Sequence, residues 1–249
     1  MNTGKVADKV FPITTFLSDL PSKLFPQPLL LSSSNGPAEG RLVIIGDVHG
    51  MRKSLEALLD KVDFDQRKGD HLILAGDLVS KGPDSPGVVD LAIKLGASAV
   101  RGNHDNAVLH AAAEINATKD SLLSPGGSTG GPAELECPKV DLPGDTVQSA
   151  ETQDKNASTT PGKNKRHSPA TYHTASALST RQLDWLAALP LILRIKLPEG
   201  LTSSLGDTVV VVHAGLVPNI PLEEQDPHAV MHMRSLVREM DDGNGFTPN

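Results

Sequence analysis

Three apolar runs in the first half of the chain end in the same way. In RLVIIGDVHG, Leu42 to Ile45 leads through Gly46 to Asp47 and His49. HLILAGD repeats the order of apolar run, glycine and acid, ending on Asp77, and ASAVRGNHD closes on Asn103 and His104. Helical spacing lies between them. Leu55, Leu58, Leu59 and Val62 keep it from Arg52 onward, and Val88, Val89, Ala92 and Leu95 share a face that stops at Gly96. Asn106 to Ile115 predicts a further helix. ALSTRQLDWLAALP predicts another, with Ser179 or Thr180 as N-cap and Leu183, Leu186 and Ala187 facing inward. LILRIKL and DTVVVVHAGL read as strands, the second ending on His213, and PHAVMHMRSLVREM reads as a last helix. Strands and helices alternating at these lengths imply a parallel sheet covered by helices, an α/β fold.

Two stretches lack such periodicity. Residues 1 to 40 form a Pro/Ser-rich lead-in, expected to be flexible. A span at about 116–175 is rich in Ser, Thr, Gly, Pro and Lys and poor in branched aliphatics. It cannot bury enough apolar area to offset its ordering entropy, so a disordered insertion is expected inside a domain running from 41 to 249.

Composition narrows the function classes. A net charge of −7 provides no basic patch for a nucleic-acid partner. A single cysteine, Cys137, excludes a disulfide framework. No run is long enough to span a bilayer, and Pro12, Pro21, Pro26 and Pro28 interrupt the apolar start, so neither a membrane segment nor a signal peptide is expected. A cytoplasmic protein is the expectation, or a vacuolar one should a membrane segment precede this sequence. The oligomeric state is left open.

The polar strand ends carry the chemistry. In open parallel sheets the carboxyl ends of the strands line one edge, where ligands bind. Two carboxylates, an amide oxygen and imidazoles converging there would make an O/N ligand set suited to Zn²⁺, Mn²⁺ or Fe²⁺.

GDVHG (46–50), GDLVSKGPDS (76–85), GNHD (102–105) and HAG (213–215) together resemble the signature blocks of the calcineurin-like, PPP-type metallophosphoesterases. Within them, GDLVSKGPDS resembles the ApaH-like branch around diadenosine tetraphosphatase, which includes the fungal zinc-dependent endopolyphosphatase. The resemblance implies a β-sandwich core flanked by helices and two divalent ions (Zn²⁺, Mn²⁺, Fe²⁺ or Co²⁺). Asp47 and His49 would hold one ion, Asp77 would bridge, and Asn103 and His213 would hold the second. His104 would act as general acid with Asp105 orienting it, and Arg101 and Lys81 would bind phosphate. The implied activity is hydrolysis of phosphate esters or anhydrides, with inorganic polyphosphate ranked first and dinucleoside polyphosphate or phosphoprotein as alternatives.

Two departures stand out. Lys81 occupies the place where the protein phosphatases of the family carry arginine. The family's last metal-binding histidine also has no counterpart after HAG, where only His228 and His232 follow, read as surface histidines of a helix. A core incomplete at its C-terminal end, and with it an inactive binding or vestigial protein, is the reading of another class.

Overall fold

A computed structural model describes residues 13–25, 40–123, 167–197, 206–238 and 246–248. One sheet is wholly parallel, in the order β2 (Leu42–Ile45), β3 (His71–Leu74), β4 (Ser98–Ala99). Its register pairs Ile45 with Leu74 and Leu74 with Ala99, so all three strands end at the same edge. The second sheet runs β1 (Leu17–Asp19), β5 (Ile192–Lys196), β6 (Thr208–Val212), with β1 parallel and β6 antiparallel to β5.

Side-chain alternation along β3 separates the layers. Leu72 and Leu74 face one way, into a core shared with Leu55 and Leu59 of α1 (Arg52–Lys61), Val88 and Val89 of α2 (Ser85–Lys94), Val108 and Leu109 of α3 (Asn103–Leu123) and Leu186 of α5 (Thr180–Ala187). Ile73 faces the other way, against Leu193, Ile195 and Val211 of the second sheet. The outer face of that sheet packs Ile192 against Val230 and Met231 of α6 (Pro227–His232). The result is helices, sheet, sheet and helix in sequence, the sandwich that the motif resemblance implies. Leu72, Ile73 and Leu74 are completely buried, each contributing roughly 1.5–3 kcal/mol of apolar transfer.

Local signals start the helices. Asp84 caps α2, its carboxylate accepting from the Gly87 N–H at 2.8 Å, with Pro86 in the first turn. Ser179 and Gln182 form a reciprocal capping box at α5, and Ser168 caps α4 (Pro169–Ala177).

Four expectations are corrected. The lead-in is not flexible throughout, because Leu17–Asp19 is a strand tied to β5, with Arg194 holding Asp19 at 2.6 Å. The third helix begins at Asn103, not Asn106, and continues to Leu123. That helix and α4 take up both ends of the expected insertion, and Tyr172 of α4 donates to Glu114 of α3. The remainder, 124–166 with Cys137, lies outside the described residues. Finally, the last helix stops at His232. Met233 turns extended (ψ 134°), and β7 (Leu236–Arg238) pairs with β8 (Phe246–Pro248). No helix among the described residues is long and apolar enough to cross a membrane.

Candidate metal centre

Three loops leave the same edge of the parallel sheet, carrying Asp47 and His49 after β2, Asp77 after β3, and Asn103 and His104 after β4. His213 arrives from the second sheet at the end of β6. Among the described residues, two sets of three donors lie close enough to share an ion: Asp47, Asp77 and His213, and His49, Asp77 and His104. Asp77 belongs to both, the position expected of a bridging carboxylate. The remaining donors are shared more widely: Asp47 also lies 3.6 Å from His49, and Asn103 lies 3.1 Å from His213.

The loops are held by the chain itself. Val48 and His49 N–H donate to the Asp77 carbonyl at 3.1 and 2.8 Å, and Gly50 N–H donates to the Leu78 carbonyl. His49, Asp77, Ser80 and Lys81 all have positive φ (48°, 51°, 78° and 64°), a clustering of left-handed residues that marks strained functional turns. Gly102 is required by close approach. A Cβ there would lie 2.2 Å from the Asp77 Oδ1 and 2.3 Å from its backbone nitrogen. With no side chain in the way, the Asp77 carboxylate reaches over and accepts the His104 N–H at 2.9 Å, at the first turn of α3.

The histidines present lone pairs to acceptors. His213 Nδ1 lies 3.0 Å from the Ala75 carbonyl, which can only accept, so the ring proton sits on Nδ1. Nε2 then faces the Asn103 Oδ1 at 3.1 Å and the Asp77 Oδ2 at 3.5 Å. A lone pair and two oxygens turned on one another are an arrangement that a cation satisfies. His49 Nε2 lies 3.6 Å from both the Asp47 and Asp77 carboxylates, and the ammonium of Lys81 stands 3.0 Å from it. That ammonium donates to the His49 nitrogen that faces the two carboxylates. The side chains of Asp77 and His213 are nearly covered, whereas that of Asp47 is over half exposed and opens the cluster to solvent.

Asp105 and Arg101 do other work than expected. Both Asp105 oxygens are engaged by backbone: Oδ1 accepts from Leu78 and Val79 N–H at 2.9 and 3.1 Å, and Oδ2 from Gly102 N–H at 2.9 Å. It therefore braces the two loops that bear Asp77 and Asn103, and its contacts run to these backbone groups, not to the His104 ring. Burial pushes its carboxyl up to about 7, opposed first by the Gly102 N–H. Arg101 has no exposed surface. Its guanidinium donates to the Ala187 carbonyl at 2.5 Å and more weakly to Asn106. This removes it from the phosphate-facing groups, and burial pushes its pKa down. Lys81 is exposed beside the cluster and retains that role as a candidate. The His104 ring meets His49 edge to face, with centroids 4.9 Å apart. Burial lowers its pKa, and the Asp77 carboxylate acts against that shift.

Residues that motif reading missed act through backbone or short side chains. The Ala75 and Val79 carbonyls face the imidazoles of His213 and His49, and Ser85 Oγ accepts the Ser80 N–H at 3.0 Å. Val79 and Ser85 left a signal, as residues of GDLVSKGPDS.

Against known proteins, the calcineurin-like phosphoesterase family matches residues 40–242. A symmetrical bis(5'-nucleosyl)-tetraphosphatase of Hamiltonella defensa is 49% identical over 85 residues, 32% of this chain and 30% of that protein. Its namesake from Photorhabdus laumondii is 47% identical over 88 residues, 32% of each chain. The matched stretch thus spans less than a third of either curated relative. A crystal structure described as that of a candidate diadenosine tetraphosphatase aligns over 94% of this chain and 68% of its own, with a TM-score of 0.56 and 26% identity.

Proposed function

Because the chain belongs to the calcineurin-like phosphoesterase family, we propose that it hydrolyses phosphoric anhydrides or esters with divalent cations, and that dinucleoside polyphosphates are its substrate class. The family uses divalent metals, and the place of Asp77 in both donor sets is the observation that carries the reading here. Asp47, His49, Asp77, Asn103 and His213 would hold the ions. Bound ions would acidify a water molecule and screen the charge of the phosphate oxygens. Lys81, at the rim, would meet the phosphate chain as a point charge, without the fixed fork of an arginine. His104, with its backbone fixed by Asp77, would give its ring proton to the leaving oxygen.

The names of the relatives favour dinucleoside polyphosphate over the inorganic polyphosphate expected from the sequence. The two are separated by assaying diadenosine tetraphosphate, inorganic polyphosphate and p-nitrophenyl phosphate with added Zn²⁺, Mn²⁺ or Co²⁺. Diadenosine tetraphosphate should be cleaved fastest. Asp77→Asn should lower kcat by about a hundredfold or more, since it removes the one carboxylate common to both donor sets. Equal rates in the two proteins would rule out catalysis at this cluster, and faster cleavage of inorganic polyphosphate would overturn the substrate class.

A further inference from the structure

Two histidines outside the strand-end cluster form a pair of their own. His228 and His232 stand one turn apart on α6, a spacing that puts both side chains on one helix face. Their rings are nearly parallel, with centroids 4.1 Å apart and planes inclined by 12°. His232 Nδ1 lies 3.0 Å from the His228 carbonyl. Since that oxygen can only accept, Nδ1 carries the proton and Nε2 keeps its lone pair, the state that an outer carbonyl imposes on a metal-binding imidazole. His228 is exposed and His232 half-buried, so an ion has access. The helix beneath is well anchored. Val230 and Met231 are buried against Leu191 and Ile192, and Ala214 N–H donates to the Val230 carbonyl at 2.9 Å. A pair on a fixed base loses little freedom when it closes on an ion.

We propose that His228 and His232 chelate one borderline divalent cation (Cu²⁺, Ni²⁺ or Zn²⁺) at a surface site that shares no residue with the strand-end cluster. A nitrogen-only pair selects these ions over Mg²⁺ and Ca²⁺, which take oxygen ligands. The stacked rings are the arrangement without an ion; chelation turns them out of the stack about their side-chain bonds until both lone pairs converge at about 2.0–2.1 Å on one ion. Water completes the shell. The inference stands independently of the hydrolase reading.

Calorimetric titration of the full chain with Ni²⁺ near neutral pH tests it. Wild type should bind one ion more than the double variant His228→Asn/His232→Asn. Either single variant should weaken that additional binding by about tenfold or more. Asp77→Asn should keep it, and excess Mg²⁺ should not displace it. Equal stoichiometry and affinity in wild type and double variant would overturn the proposal, as would single variants that retain the additional ion undiminished. Should the double variant melt at a lower temperature than wild type, the ring resonances of the wild-type protein replace it as the readout. Selective broadening of both His228 and His232 by substoichiometric Cu²⁺ supports the site, and broadening of neither overturns it.

Discussion

At Asp105 one carboxylate satisfies three buried N–H groups. Truncation to alanine leaves those donors unpaired, at about 1–3 kcal/mol each, so Asp105→Ala should destabilise the protein by about 3 kcal/mol or more in urea unfolding. His71 provides the pH counterpart away from the site. It is buried at the start of β3, with Nε2 2.9 Å from Ser98 Oγ, and burial lowers its pKa. The unfolded chain takes up the proton near the ordinary value of about 6.5, while the folded chain resists it to lower pH. Stability from this group is therefore full above that value and declines as the pH falls below it. His71→Asn should flatten the slope of unfolding free energy between neutral and mildly acidic pH. The convergence was legible here: Asp47, Asp77, Asn103 and His213 each follow an apolar run and each reach the cluster. Arg101 and Asp105 were misread because adjacency to Asn103 and His104 in sequence says nothing about direction. One side chain turns under the sheet toward Ala187, and the other turns back to the preceding loop.

Among the elements, those with a full period of apolar positions were readable, and the short ones were not. Leu55 and Leu59 of α1, Val88 and Val89 of α2, and Leu186 of α5 are buried as their spacing requires. β1 has three residues, and each pairs with a residue of β5 that lies 175 positions away, a pairing that no local pattern encodes. The last helix was overextended because MHMRSLV keeps helical composition, yet Met233 turns so that its Sδ covers Gly215, where a Cβ would meet it at 2.8 Å. The capping box at α5 allows a direct check. Ser179→Ala removes the acceptor of the Gln182 N–H and should cost about 1 kcal/mol, seen as a lower urea midpoint with an unchanged slope.

For the whole molecule, the decisive fact is that the cluster draws on both sheets: Asp47, His49, Asp77, Asn103 and His104 from the parallel one, His213 from the mixed one. Their relative placement rests on the layer of Ile73, Leu193, Ile195 and Val211 between them. Ile195→Ala in that layer and Leu55→Ala under the helices should each cost about 2–5 kcal/mol. Only the first should also weaken Zn²⁺ uptake, measured by calorimetry on folded protein, because only it loosens His213 against Asp77. The loops themselves are cross-tied: Asp77 takes the His104 N–H, and Asp105 takes the N–H groups of Leu78, Val79 and Gly102. Such a cradle is tied by hydrogen bonds that the chain itself supplies, so dialysis against a chelator should leave its backbone in place, with a circular dichroism spectrum unchanged before and after.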